Sequence, residues 1–159
     1  MSLELHRVYS GQEFNFLTQG LQFVKILNRK ENHNGMQYKT GLNKDFVPFN
    51  GSGECSSGGL YFTEVCKCHL YENFGSIMRL VTIPKEAKVY VEQDKFKADM
   101  FTLSERVYLD DETIFDHKIY QNLFQINCFI IKFIKNPSLE MCWNAINKNI
   151  YTLECISDP

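Results

Sequence analysis

Three groups of side chains in this chain have types and spacings that could do chemistry. Cys66-Lys67-Cys68-His69 places two thiols and an imidazole within four residues. Zinc takes about four such donors in a tetrahedral array, normally from spaced pairs. This cluster supplies one close group, and Cys55 and His33 would have to complete it. The plainer reading makes Cys66 and Cys68 ordinary thiols on a short helix, so no metal and no cofactor are expected. Cys55 stands in the glycine- and serine-rich run Gly51-Ser-Gly-Glu-Cys-Ser-Ser-Gly-Gly59. There, successive backbone N–H groups could cradle an anion beside a thiol nucleophile. Spacing gives that thiol no base, and a thiol that plugs the loop is the simpler role. His33, between Asn32 and Asn34 and followed by Gly35, could bind a ligand at a loop mouth, although Asn-His-Asn-Gly is also a good turn sequence. Tyr38 and Tyr61 would line the same mouth, or serve only as core aromatics. The ligand-binding set is therefore His33, Tyr38, Cys55 and Tyr61, with Cys66, Cys68 and His69 as metal candidates and no catalytic residue assigned.

The element that must position these residues is the stretch from Glu31 to Thr63. Six of the nine glycines fall in it, at 35, 41, 51, 53, 58 and 59. Glycine reaches backbone angles closed to other residues, so such a run marks a tightly shaped loop system. Around it, Leu21–Leu27 (LQFVKIL) and Ile77–Ile83 (IMRLVTI) read as buried strands, the second ended by Pro84. Leu60–Thr63 and Ala87–Val91 are further strands, Met36–Thr40 a short one, and Met100–Leu103 an edge strand. Glu64–Asn73 reads as a short helix that brings Val65, His69 and Leu70 near one face and stops at Gly75. Asp94–Asp99 reads as a charged turn.

After Asp110 the apolar spacing becomes helical and repeats. Asn127–Pro137 aligns with Asn149–Pro159 at an offset of 22 residues, and Ser138 is a suitable N-cap for a helix through Lys148. Of the aromatics here, Trp143 falls off the apolar face and is expected to be partly exposed. The chain thus reads as α+β. Residues 1–110 form an α/β domain with a mostly antiparallel sheet, a few short helices and the glycine-rich loops. Residues 111–159 form a segment of short helical-hairpin repeats.

Bulk properties narrow the function. The 159 residues carry 17 basic and 19 acidic side chains, a net charge of -2. Without a basic excess or stripe, nucleic acid is a poor default partner. The N-terminus lacks an apolar leader and no apolar run is long enough to span a membrane, so the six cysteines are read as reduced thiols of an intracellular protein.

Separated residues agree in order with a known group. The segments Phe23–Asn28, His33–Tyr38, Gly41–Asn43, Pro48–Asn50, Cys55, Gly58–Thr63 and Arg79–Pro84 resemble the N-terminal domain that precedes ankyrin or other repeats in proteins of mimivirus-like giant DNA viruses. The Phe-Ile-Lys-Asn-Pro and Cys-Ile-Ser-Asp-Pro units resemble short helical repeats of the same viruses. The resemblance implies a modular viral protein, in the infected host cell's cytoplasm or in the virion, and carries over no catalytic residue. It favours a non-enzymatic module that binds a host or viral protein. The order His33, Tyr38, then Gly-Gly-Leu-Tyr-Phe also resembles NAD-dependent ADP-ribosyltransferases, which implies the alternative of a nucleotide-binding enzyme acting at the glycine-rich loops. The matching His-Gly-Thr is missing, and only Glu64 or Glu105 could be nominated as the catalytic carboxylate. An enzyme should gather His33, Tyr38, Cys55 and Tyr61 in a deep polar pocket. A binding module should show a shallow surface and engage these residues in internal hydrogen bonds.

Overall fold

A computed structural model describes residues 2–111 and 118–156. Short antiparallel strands dominate it. Strand β1 (Val8–Ser10) leads into helix α1 (Gly11–Leu17). Ser10 and Glu13 form a reciprocal capping box there, which fixes where the helix begins. Then follow β2 (Phe23–Leu27), the two-residue strands β3 (Asn32–His33) and β4 (Met36–Gln37), β5 (Gly41–Lys44) and β6 (Leu60–Glu64). After a 3-10 helix over Val65–Phe74 come β7 (Ile77–Thr82), β8 (Lys88–Val91), β9 (Phe96–Ala98), β10 (Met100–Leu103) and β11 (Val107–Tyr108). The C-terminal part holds helices α2 (Lys118–Ile126) and α3 (Leu139–Lys148), each followed by a six-residue 3-10 helix. Among the described residues no helix is long and apolar enough to cross a membrane.

The main sheet runs β1-β8-β9-β6-β2-β7-β10-β5, with β11 also on β7, and every pairing is antiparallel. Side chains alternate between two faces, so β2 serves two cores. Phe23 and Leu27 join α1's Phe14, Phe62, Val89 and Phe101 in one apolar cluster. Val24 and Ile26 join Val65, Met78, Tyr120, Leu123 and Ile130 in another. The first is an aromatic box in which Phe14, Phe23, Phe62 and Phe96 meet at 5.1–6.0 Å between ring centres, mostly edge to face. The second is where the C-terminal helices seat on the sheet.

Strands expected at 21–27, 77–83 and 87–91 are present in slightly trimmed form, and the one expected at 60–63 runs one residue further, to Glu64. Met100–Leu103 is interior rather than edge, because it pairs with both β7 and β5. The strand at that edge is Gly41–Lys44, which the turn-rich sequence hid. Phe96–Ala98 is a strand inside the expected charged turn. The helix after β6 is 3-10, with three residues per turn, so Val65 and Cys68 are buried while Leu70 is exposed.

The expected helical-hairpin repeat segment is overturned. Residues 118–156 hold only a few short helices. The 22-residue offset survives as matching caps: Asn127 accepts from Phe129 N at 3.1 Å and Asn149 from Tyr151 N at 3.0 Å. Each cap starts a 3-10 helix of six residues, too short to be the second arm of a stacked hairpin. Ile130, Ile131 and Phe133 turn instead into the core shared with the sheet. The last three residues of the second aligned unit, 157–159, lie outside the described residues.

Candidate functional site

The sheet opens between two of its central strands. β6 pairs with β9 through Leu60, Tyr61 and Phe62, but with β2 only through Thr63 and Glu64. β2 continues along β7 to Leu27 after leaving β6. A cavity of about 250 Å³ lies at this parting, with Val24–Asn28 on one side and Tyr61–Thr63 on the other. Tyr71 and Phe74 of the 3-10 helix, His33 and Asn34 of the β3–β4 turn, Cys55 and Lys95 complete its lining.

Three of the four expected ligand residues therefore share one cavity. The Asn34-Gly35 turn, with φ of 52° and 80°, is the tight type that suits a two-residue hairpin, and it sets His33 at the lip. His33 packs edge-on against Phe74 at 5.3 Å, with Nε2 3.2 Å from Asn34 Nδ2. Burial, then the charge of Lys25, lowers its pKa, which favours the neutral ring. Gly75 closes the helix beside it; a Cβ there would lie 2.2 Å from Leu27 O.

Cys55 is delivered by a loop bonded to itself. Asn50 N donates to Gly58 O at 2.8 Å, and Gly59 N donates to Asp45 Oδ2 at 2.7 Å. Gly58 has φ of 88°, and a Cβ on it would sit 2.5 Å from Pro48 O, so the turn requires glycine. Cys55 itself has φ of 49°. Its N–H donates to Glu92 Oε2 at 3.3 Å, and its sulfur accepts from Lys95 Nζ at 2.8 Å. The Tyr61 hydroxyl donates to Glu92 Oε1 at 2.8 Å, and burial followed by this carboxylate raises its pKa. Lys95 Nζ lies 4.4 Å from the Tyr61 ring centre and 3.8 Å from Glu92. The thiol thus meets an ammonium, with no imidazole bonded to it among the described residues.

Tyr38 does not line the cavity. It lies behind Lys25, stacked on Phe101, with Lys25 Nζ 4.6 Å from its ring centre. Lys25 is the residue that sequence reasoning passed over. It is 6% exposed, and Nζ donates to Tyr61 O at 2.6 Å. No carboxylate comes within 4 Å of it among the described residues. Burial lowers its pKa to about 7. The signal was visible as a lysine interrupting the apolar run LQFVKIL.

The metal candidates separate. Cys66 is exposed and Cys68 buried, because residues two apart on a helix of three residues per turn lie on different faces, and burial pushes the Cys68 thiol up to about 12. His69 Nδ1 lies 3.0 Å from Asn127 Nδ2, and its ring stacks on Phe129. Among the described residues no group of three His, Cys, Asp or Glu side chains is placed to hold a metal. A second hollow of about 380 Å³ lies beside Cys66, His69 and Lys148. Its polar groups are engaged: His69 by Asn127, and Lys148 by Gln125 Oε1 at 2.6 Å.

Fold and cavity together define an antiparallel-sheet domain with a recess at a break in strand pairing. The chain belongs to a family of mimivirus proteins. It is 38% identical over 95 residues to the uncharacterised protein R869 of Acanthamoeba polyphaga mimivirus, a match covering 56% of this chain and 69% of that protein. It is 32% identical over 114 residues to that virus's putative ankyrin repeat protein R868, and 29% identical over 108 residues to its putative ankyrin repeat protein R896. Those matches cover 66% and 62% of this chain but only 57% and 32% of the two relatives. No family model and no solved structure matches the chain.

Proposed function

We propose that the chain is a non-enzymatic protein-interaction module that receives its partner at the cavity between β2 and β6. The region shared with R868 and R896 is, in this reading, the domain that precedes their ankyrin repeats. The partial cover of those two proteins leaves room for such repeats. Its partner is a host or viral protein, met in the infected cell's cytoplasm or in the virion.

One observation carries this reading. The thiol and the imidazole that could react are not paired with each other among the described residues, while the wall left open is aromatic. The Cys55 sulfur faces an ammonium, the Tyr61 hydroxyl is held by Glu92, and His33 lies against Phe74. A thiol nucleophile commonly works with a paired imidazole, and among the described residues thiol and imidazole are not bonded to each other. Glu64 and Glu105, the carboxylates an ADP-ribosyltransferase would require, do not line the cavity. Tyr61, Phe62, Tyr71 and Phe74 offer the kind of rigid apolar surface that anchors a partner.

A photo-crosslinking amino acid placed at Phe74, and at the exposed Phe16 of α1 as a remote control, tests it in extracts of infected amoebae. A discrete adduct from position 74, competed away by unlabelled protein, is the expected result. Equal adducts from both positions, or release of nicotinamide from NAD by the purified protein, would overturn it.

A further inference from the structure

The polar lining of the cavity is one-sided. Lys25, Lys95 and His33 line it beside neutral polar groups such as Asn28 and Asn34, and among the described residues no aspartate or glutamate does. Lys95 already has Glu92 and the Cys55 sulfur. Lys25 has a neutral carbonyl, which occupies one of the three donor positions of an ammonium, and the rings of Tyr38 and Phe101, but no carboxylate within 4 Å among the described residues. A buried cation without a counter-ion is costly, and a ligand that brings an anion removes that cost. The remaining wall is aromatic and suits an apolar body. Both features fall within about 250 Å³, roughly the space of one large residue. A carboxylate and an apolar group fit there together only when carried on the same or neighbouring carbons, as in the last residue of a polypeptide.

We propose that the cavity captures the C-terminal residue of a partner polypeptide, its carboxylate on Lys25 and its apolar side chain against Tyr71 and Phe74. This rests on the interaction-module reading and names the chemistry of its partner. Capture of a terminal carboxylate is a recurring mode of peptide recognition. Binding should also move protons. Around Lys25 stand Tyr38, the cross-strand Arg79 with its counter-ion Glu31, His33, and Tyr61 with Glu92 and Lys95 behind it. Asp45 acts on Tyr38 from the loop side. Arg79 and Glu31 offset each other, and the shift of His33 favours its neutral ring. Lys25 is then the group whose charge changes near neutrality, because burial lowers its pKa to about 7. A bound carboxylate favours the ammonium, so binding takes up about half a proton at pH 7 and approaches one at pH 8.

The test is calorimetry with acetyl-pentaglycyl-phenylalanine, its C-terminal amide, and 3-phenylpropionate, each titrated in phosphate and in Tris at pH 7 and 8. The free-acid peptide is expected to bind at least tenfold more tightly than the amide, with proton uptake that grows from pH 7 to pH 8. Lys25→Met is expected to remove at least tenfold in affinity and the buffer dependence, while Phe74→Ala weakens binding and leaves proton uptake intact. Equal binding of acid and amide, no saturation by either peptide, or 3-phenylpropionate binding as tightly as the peptide would overturn the proposal. A position-74 crosslink that persists in Lys25→Met would sink this inference and leave the interaction module standing. Loss of a position-specific crosslink in the wild-type protein would remove the module reading itself.

Discussion

Lys25 and Arg79 face each other across β2 and β7, both buried, yet the fold treats their charges in opposite ways. Arg79 is fully engaged. Its Nε and Nη2 donate to the two oxygens of Glu31 at 2.9 and 2.8 Å, and its Nη1 donates to Thr40 Oγ1 and Ser104 O. Arg106 adds two further bonds to Glu31. Glu31 takes a left-handed backbone, φ 52°, to reach this position. Lys25 has one carbonyl and two aromatic rings. A charge closed off by bidentate bonds locks loops onto a sheet. A charge left open beside a cavity is stable only while it is partly neutral or a ligand supplies its counter-ion.

The sharpest way to break this contrast is Glu31→Ala. Two arginines then lose their shared carboxylate, and Arg79 is left buried and unpaired. The expected loss is about 3–5 kcal/mol in urea unfolding. If the midpoint hardly moves, the cluster is not the lock described. Burial acts to raise the Glu31 pKa, but the hydrogen bonds and charges of Arg79 and Arg106 outweigh it and the pKa is lowered. Its stabilisation is therefore present above the unfolded carboxylate range near pH 4 and drains away as pH falls further.

Lys25→Met should act in the other direction, with a gain of roughly 1–3 kcal/mol at pH 7, because an apolar side chain replaces a buried amine. The folded pKa of Lys25 lies below its unfolded value, so the native amine sheds a proton that the unfolded chain keeps. Wild-type stability should therefore climb as pH rises from 7 to 9, and the lead of the Met variant should narrow. Thermal melts at the two pH values measure this, and a constant lead would contradict the assignment.

Arg106→Ala should cost much less than Glu31→Ala, because Arg106 is half exposed and Arg79 keeps its bidentate partner. The same urea series ranks the two. The smallest effect on stability is expected from Cys55→Ser, since the side chain is exposed. A thiol reagent at pH 8 should nevertheless label Cys55 ahead of Cys66, whose thiol burial and Glu64 push up to about 11, and leave Cys68 for last. Mass spectrometry of timed aliquots gives the order.

Much of this was readable from the chain. IMRLVTI and AKVYV declare strands through β-branched residues and a terminating proline. Ser138 caps its helix, accepting from Met141 N at 3.2 Å. The glycine run predicted a tightly shaped loop system, and of the four residues expected to gather only under the enzyme alternative, His33, Cys55 and Tyr61 line one cavity while Tyr38 does not. Other features hid in plain sight. Lys25 and Arg79 interrupt apolar strands in the same way, and nothing local says that one has a carboxylate and the other a cavity. The repeat after Asp110 misled for a similar reason: identical Asn caps begin identical short turns, but turn geometry does not determine what those turns pack against.

The sequence by itself determined which stretches extend, where they turn and which side chains are too apolar to remain in water, because φ/ψ preference, capping and side-chain alternation act over a few residues. Tertiary structure alone decided that β6 would leave β2 after Val24, that Glu31 would reach Arg79 across 48 positions and Arg106 across 75, and that a lysine would border the opening. Strand partnership is a long-range choice, set by which neighbour offers backbone bonds and burial at each level. A strand's own residues read the same whether that neighbour stays or departs.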